Sequence, residues 1–189
     1  MSPLLIVLSG PSGVGKDTLV QKLLLAEPRM RKIATVTTRA PRPGEVEGRD
    51  YYFVSAYRFR ELIGEDALLE HARVYDNWYG VPRKDVDIFM REGWDVLLRT
   101  DIQGAASVKA LAPEAVTIFI SPGQISDLEG RIERRGAADP KDLALRLKTA
   151  REEMEAAATF DHVVVNPENG LDSAVERLRQ ILDEERARG

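Results

Sequence analysis

Residues 8–18 read LSGPSGVGKDT. Gly10 and the Gly15-Lys16 pair stand at the spacing of a phosphate-binding loop, in which successive backbone N–H groups cradle a polyphosphate and the lysine ammonium reaches its outer phosphates. The string alone is a modest signal, and a glycine-rich turn with a solvated lysine would share it. Context separates the two readings. The continuous apolar run Leu4-Leu5-Ile6-Val7-Leu8 leads directly into the loop and reads as a strand buried on both faces. A helix follows over 18–26, with Leu19, Leu23 and Leu24 on one face and Pro28 beyond its end. A loop leaving a buried strand and opening a helix is where phosphate binding works, because the helix N-terminus presents unpaired N–H groups.

The same pattern recurs along the chain. Further strands are expected at 33–38, 94–100, 116–120 and 162–165, with helices at 84–92, 105–111, 126–135, 141–159 and 171–186. Strands alternating with helices imply an α/β protein with a parallel sheet and right-handed crossovers. Residues 39–82 break the rhythm: a turn-rich stretch, RAPRPGEVEGRD, precedes YYFV, a short helix near 57–63, LLEHARVY and NWYGVPR, which suggests a small inserted lobe of short strands. A second irregular, arginine-rich stretch covers 123–140.

Composition narrows the possibilities. With 43% hydrophobic and 31% charged residues, the 189-residue chain is expected to fold as one compact domain. The absence of cysteine removes disulfides, thiolate metal sites and a cysteine nucleophile together. A net charge of −4 argues against a nucleic-acid surface, while arginines crowded at 29–42 and 131–151 suit a small anionic ligand held locally. The opening apolar run is too short for a membrane span or a signal-peptide core. The expectation is a cytoplasmic protein with no nucleic acid, membrane or obligate protein partner.

The acceptor side is read from TVTTRAPRPGEVEGRDYYF (35–53) and LLEHARVYDNWYGVPR (68–83). With LSGPSGVGK, DIQGA, IFISP, RIERRG, RLKTAREE and VVVN, in this order over nearly the whole chain, the sequence resembles guanylate kinase, a nucleoside monophosphate kinase. The resemblance implies a P-loop three-layer fold with a parallel five-stranded core sheet (1–38, 83–122, 151–189), an inserted GMP-binding lobe (39–82) and a lid (about 123–150). It implies ATP and GMP (possibly dGMP) as substrates, with Mg²⁺ accompanying ATP. ATP would lie on Gly10, Pro11, Ser12, Gly13, Val14, Gly15, Lys16, Asp17 and Thr18, with Asn166 at the adenine edge. Arg39, Arg42, Tyr51 and Tyr79 would hold the GMP phosphate, and Thr35 and Glu70 would face guanine. Asp101, counted with the GMP site, would lie near the reacting phosphates, beside Lys16, Arg39 and the lid arginines Arg131, Arg135 and Arg146. Chemistry supports Glu70 independently: a carboxylate accepts from guanine's N1–H and exocyclic NH₂, a donor pair that adenine lacks.

Three positions depart from the family pattern. Asp17 stands where a small or hydroxyl residue is usual, Val81 where Ser or Thr is common, and Arg99 where an acid is common. Asp17 or Thr18 could attend the metal. Alternatively, the first and third changes compensate, with Asp17 and Arg99 forming a partly buried salt bridge. Two other functions fit parts of the sequence: a related kinase acting on ribose 1,5-bisphosphate, whose loop can also read Gly-Lys-Asp, and a non-catalytic guanylate-kinase-like binding module. Glu70 argues against the first. Lys16 and the absence of an attached interaction domain argue against the second.

Overall fold

A computed structural model describes residues 2–74, 76–134 and 140–188, apart from the side chains of 131–134, 140–142 and 146. The opening apolar run forms β1 (Leu5–Ser9), buried at every position. Its side chains alternate between two cores, as strand geometry requires. Ile6 and Leu8 pack with Leu19 and Leu23 of α1 (Lys16–Ala26) and Leu178 and Leu182 of α7 (Leu171–Arg188). Leu5 and Val7 pack with Val86 of α3 (Arg83–Arg91) and Ala105 and Val108 of α4 (Ile102–Leu111). Helices thus cover both faces of one sheet, which makes three layers.

That sheet is parallel, in the order β2 (Met30–Lys32), β7 (Asp95–Arg99), β1, β8 (Val116–Pro122), β9 (His162–Asn166). The chain winds to one side of β1 through β7 and to the other through β8. The carboxyl end of β1 is therefore the switch point, where ligand crevices form in open α/β sheets. Residues 8–18 lie at this point.

A second sheet, in the order β4 (Tyr51–Phe53), β3 (Thr35–Thr37), β6 (Asn77–Pro82), β5 (Leu68–Val74), stands beside the first. Its helix α2 (Ala56–Gly64) starts at Ser55, whose hydroxyl accepts from the Arg58 amide at 3.1 Å, and inserts Phe59 against Val36 and Leu68. One expectation is corrected here. The apolar stretch 33–38 is not a strand of the parallel sheet. The core strand is Met30–Lys32. Ile33 closes it by donating to the Leu97 carbonyl at 3.1 Å, and Thr35–Thr37 then joins the second sheet. Ile33 and Ala34 are buried because the chain crosses between two cores there. Their apolar character reports burial, not membership of one sheet.

The expected helix over 141–159 is α6 (Pro140–Glu155) followed by a 3₁₀ turn at Ala156–Thr159, and α5 spans Ile125–Arg134. No helix among the described residues is long and apolar enough to cross a membrane.

Candidate active site

Gly10, Gly13 and Gly15 all adopt positive φ, so the loop curls back on itself before α1 begins. Gly15 supplies no side-chain cap, which leaves the first-turn N–H groups for an anion. The Lys16 ammonium donates to the Gly10 carbonyl and to the Pro11 carbonyl at 3.0 Å. Burial, reinforced by the nearby Arg99 charge, lowers Lys16 to about 8, and Glu153, Asp17 and Asp101 oppose the shift. Lys16 is therefore mostly a cation at neutral pH. From behind, the buried Asn166 amide donates to the Val14 carbonyl at 2.8 Å. Asn166, expected at the adenine edge, here braces the loop.

The loop also dictates a glycine. A Cβ on Gly10 would lie 2.3 Å from the Ile120 carbonyl oxygen, at a φ of 139°. Gly10→Ala is expected to cost roughly 1–3 kcal/mol from overpacking and a comparable amount from backbone strain. Urea unfolding measures the loss, and an unchanged midpoint would contradict it.

A cleft of about 620 Å³ runs from this loop to the second sheet. Of the residues expected at the site, Gly10, Ser12 and Lys16 line one wall, and Thr35, Tyr51, Glu70, Tyr79 and Asp101 line the rest. Glu70 is 6% exposed, and its Oε2 has no hydrogen-bond partner among the described residues. Its cross-strand neighbour is the buried Val81, whose side chain offers no donor. Burial, and secondarily the Asp101 charge, raises Glu70 to about 7. Asp101, expected near the reacting phosphates, caps α4 by accepting from the Gly104 amide at 2.7 Å. A Cβ on Gly104 would lie 3.0 Å from Glu70 Oε2 and 3.1 Å from Asp101 Oδ1, so two carboxylates converge over a glycine. Together they form an acceptor pair suited to a ligand edge rich in N–H groups.

Arg39 stands beside the two tyrosines of this wall but does not itself line the cleft. Tyr51 and Tyr79 meet edge to face, 6.3 Å between ring centroids. The Arg39 guanidinium lies 5.1 Å from the Tyr51 ring centroid and is held by both Glu45 oxygens, at 2.7 and 3.0 Å. Arg42 is exposed; its backbone N–H donates to Glu45 at 2.7 Å, and its side chain does not line the cleft. Arg135 and the side chains of Arg131 and Arg146 lie outside the described residues.

The proposed charge exchange is present: Arg99 Nη1 lies 3.1 Å from Asp17 Oδ1. The bridge is less enclosed than expected, since the Asp17 side chain is 60% exposed against 20% for Arg99. Arg99 also donates to the Tyr51 hydroxyl.

Sequence reasoning did not single out Glu153. On α6 it lines the cleft, lies close enough to Lys16 to raise that lysine's affinity for protons, and carries a buried Oε2 with no partner among the described residues. Within TAREEMEA nothing distinguishes it from the acids of a solvated helix face. For metal, no group of three or more His, Cys, Asp or Glu side chains converges among the described residues. Asp17 and Thr18 are exposed beside the loop. This donor set fits Mg²⁺ carried in on a triphosphate, which needs only one or two protein oxygens.

The family model described as guanylate kinase matches residues 2–185. The chain belongs to the guanylate kinase family. It is 44% identical over 185 residues to the guanylate kinase of Caldanaerobacter subterraneus subsp. tengcongensis, covering 98% of this chain and 89% of that relative. It is 45% identical to that of Desulfitobacterium hafniense, with 98% and 92% covered. Among solved structures, guanylate kinase from Anaplasma phagocytophilum superposes with a TM-score of 0.81 at 36% identity, covering 97% of this chain and 86% of that one. A shikimate kinase from Bacteroides thetaiotaomicron, at 16% identity and a TM-score of 0.54, shares the fold alone.

Proposed function

We infer that the chain transfers the γ-phosphoryl group of ATP to the phosphate of GMP, giving ADP and GDP. The observation that carries this reading is Glu70: a buried carboxylate with an oxygen unpartnered among the described residues, beside Asp101, in the same cleft as Lys16. Guanine offers N1–H and NH₂ to such a pair. Adenine offers an acceptor where N1–H would be, so it is rejected by unpaired buried groups.

Binding at both ends orients the reaction. The triphosphate lies along the loop amides and Lys16. The GMP phosphate lies by Arg39, Tyr51 and Tyr79, so one of its oxygens attacks the γ-phosphorus in line. Mg²⁺ entering with ATP would neutralise charge between the outer phosphates, with Asp17 or Thr18 at hand. No covalent intermediate is needed; the chain's residues position two polyanions and balance their charge. The second-sheet lobe, Thr35–Thr37 together with residues 39–82, carries the acceptor, and its closure toward the phosphate loop would keep water from the phosphoryl group. Such chemistry suits a protein of the cytoplasm, where ATP and GMP are found.

Ribose 1,5-bisphosphate is the weaker acceptor, since a sugar bisphosphate would bring further negative charge to Glu70 and Asp101. A purely binding module has no use for Lys16 at the loop. A coupled assay with GMP, AMP, CMP, UMP and ribose 1,5-bisphosphate tests the reading. GMP is expected to exceed every other acceptor by roughly 10²-fold or more in kcat/KM. Faster turnover of the bisphosphate, or none of GMP, would overturn it.

A further inference from the structure

Arg99 is the residue that the family pattern does not explain. It ends β7 and pairs in register with Leu8, so its side chain emerges beside the phosphate loop. From there it reaches across the cleft. Nη1 meets Asp17 on α1 at 3.1 Å, while Nη2 donates to the Tyr51 hydroxyl on β4 of the second sheet. These are its partners among the described residues: the tyrosine takes one of the five N–H groups of the guanidinium as a hydrogen bond, and Asp17 is held as an ion pair. The side chain is 20% exposed and lines the cleft.

Two guanidinium groups share one tyrosine. Arg39 and Arg99 lie 5.1 and 5.6 Å from the centroid of the Tyr51 ring. Arg39 is tied to Glu45 on the lobe, and Arg99 to Asp17 on the loop helix. Arg99 also crowds Lys16 and Lys32: burial first, and Arg99 second, makes each lysine less willing to carry its proton. Cations gathered this closely call for a polyanion between them. The Asp17 counterion is mostly solvated, so its hold on Arg99 is weak and exchangeable. A phosphate dianion offers the planar guanidinium a stronger, bidentate partner.

We propose that Arg99 binds the phosphate of the acceptor nucleotide, together with Arg39 and Tyr51, and that Asp17 holds it in place until that phosphate arrives. This rests on GMP being the acceptor and adds a phosphate ligand from the core sheet at a position where the family commonly has an acid. If Arg99 were only a strut between the loop helix and the lobe, it would affect both ends of GMP alike.

The test is equilibrium binding of GMP and of guanosine, which lacks the phosphate, to the wild type, Arg99→Met, Arg99→Lys and Asp17→Asn, with melting temperatures recorded. Arg99→Met is expected to weaken GMP about tenfold or more, the size of a lost charge-assisted hydrogen bond, and to leave guanosine within about twofold. Arg99→Lys restores part of the loss, and Asp17→Asn costs GMP less than Arg99→Met does. Parallel losses for GMP and guanosine, or unchanged GMP binding in Arg99→Met, would overturn the proposal. Should Arg99→Met fail to fold, the same comparison in Arg99→Lys decides. Failure of the wild type to bind GMP would instead remove the function reading beneath it.

Discussion

Replacement of Lys16 by Met is expected to lower kcat by roughly 10²–10³-fold, the usual cost of removing one preorganised charge from a developing transition state. Met matches the lysine stem in length and apolar character, so the fold of the loop should survive. The substitution deletes the ammonium that donates to the Gly10 and Pro11 carbonyls. KM for GMP should move little, because Glu70, Tyr51 and Tyr79 lie on the other wall. KM for ATP should rise less steeply than kcat falls, since the loop amides still bind phosphate. Single-turnover kinetics with saturating ATP separates the chemical step from binding. A kcat within tenfold of wild type would mean that Lys16 is not the charge stabiliser and that Arg99 or the metal carries its role. Lys16 is lowered to about 8 in the free chain, so wild-type kcat/KM for ATP should decline as pH rises above that value, and Lys16→Met should lack the decline.

Most of this wall was legible in the sequence, and for a physical reason. The phosphate loop is local: strand, glycines and lysine are contiguous, so its geometry follows from eleven residues, 8–18. The three-layer core was legible through the buried strands of its sheet. The run at 33–38 reads as one core strand because burial between two cores looks, in composition, like burial within one sheet. The acceptor wall assembles residues from β3, β4, β5, β6 and the start of α4, and no spacing rule joins Glu70 to Asp101; the family resemblance named both, but only the fold shows them sharing Gly104. Asp17 and Arg99 were paired in the sequence because both departed from the pattern in compensating directions. Glu153 had no such mark. Its role by Lys16 depends on how α6 packs, which a charged helical stretch does not disclose.

Acidification from pH 8 to pH 6 is expected to weaken GMP binding by roughly tenfold, because a carboxyl titrating near 7 is mostly neutral at pH 6. The sign follows from what Glu70 must do. Guanine presents donors, so the anion accepts from both, while the protonated acid places its own hydrogen against one of them. Burial and Asp101 raise Glu70 from 4.5 to about 7 in the folded chain. Its contribution to fold stability therefore runs the other way: the raised value favours the protonated folded state, a contribution complete below about 4.5 and lost as pH rises to about 7. Acid should thus weaken GMP while this group helps the fold, and the opposition separates a binding effect from loss of structure. The GMP phosphate also titrates near 6, but ATP carries the same chemistry, so KM for ATP over this range is the control. Glu70→Gln makes the assignment. It keeps the shape, offers one carbonyl oxygen and places an NH₂ against a guanine donor, so GMP should weaken by roughly 1.5–3 kcal/mol. The difference in pH profile between GMP and ATP should disappear in this variant. A wild-type GMP profile that parallels that of ATP, or a Gln variant that retains the excess slope, would show that Glu70 does not read guanine and that the pair over Gly104 serves the lobe rather than the base.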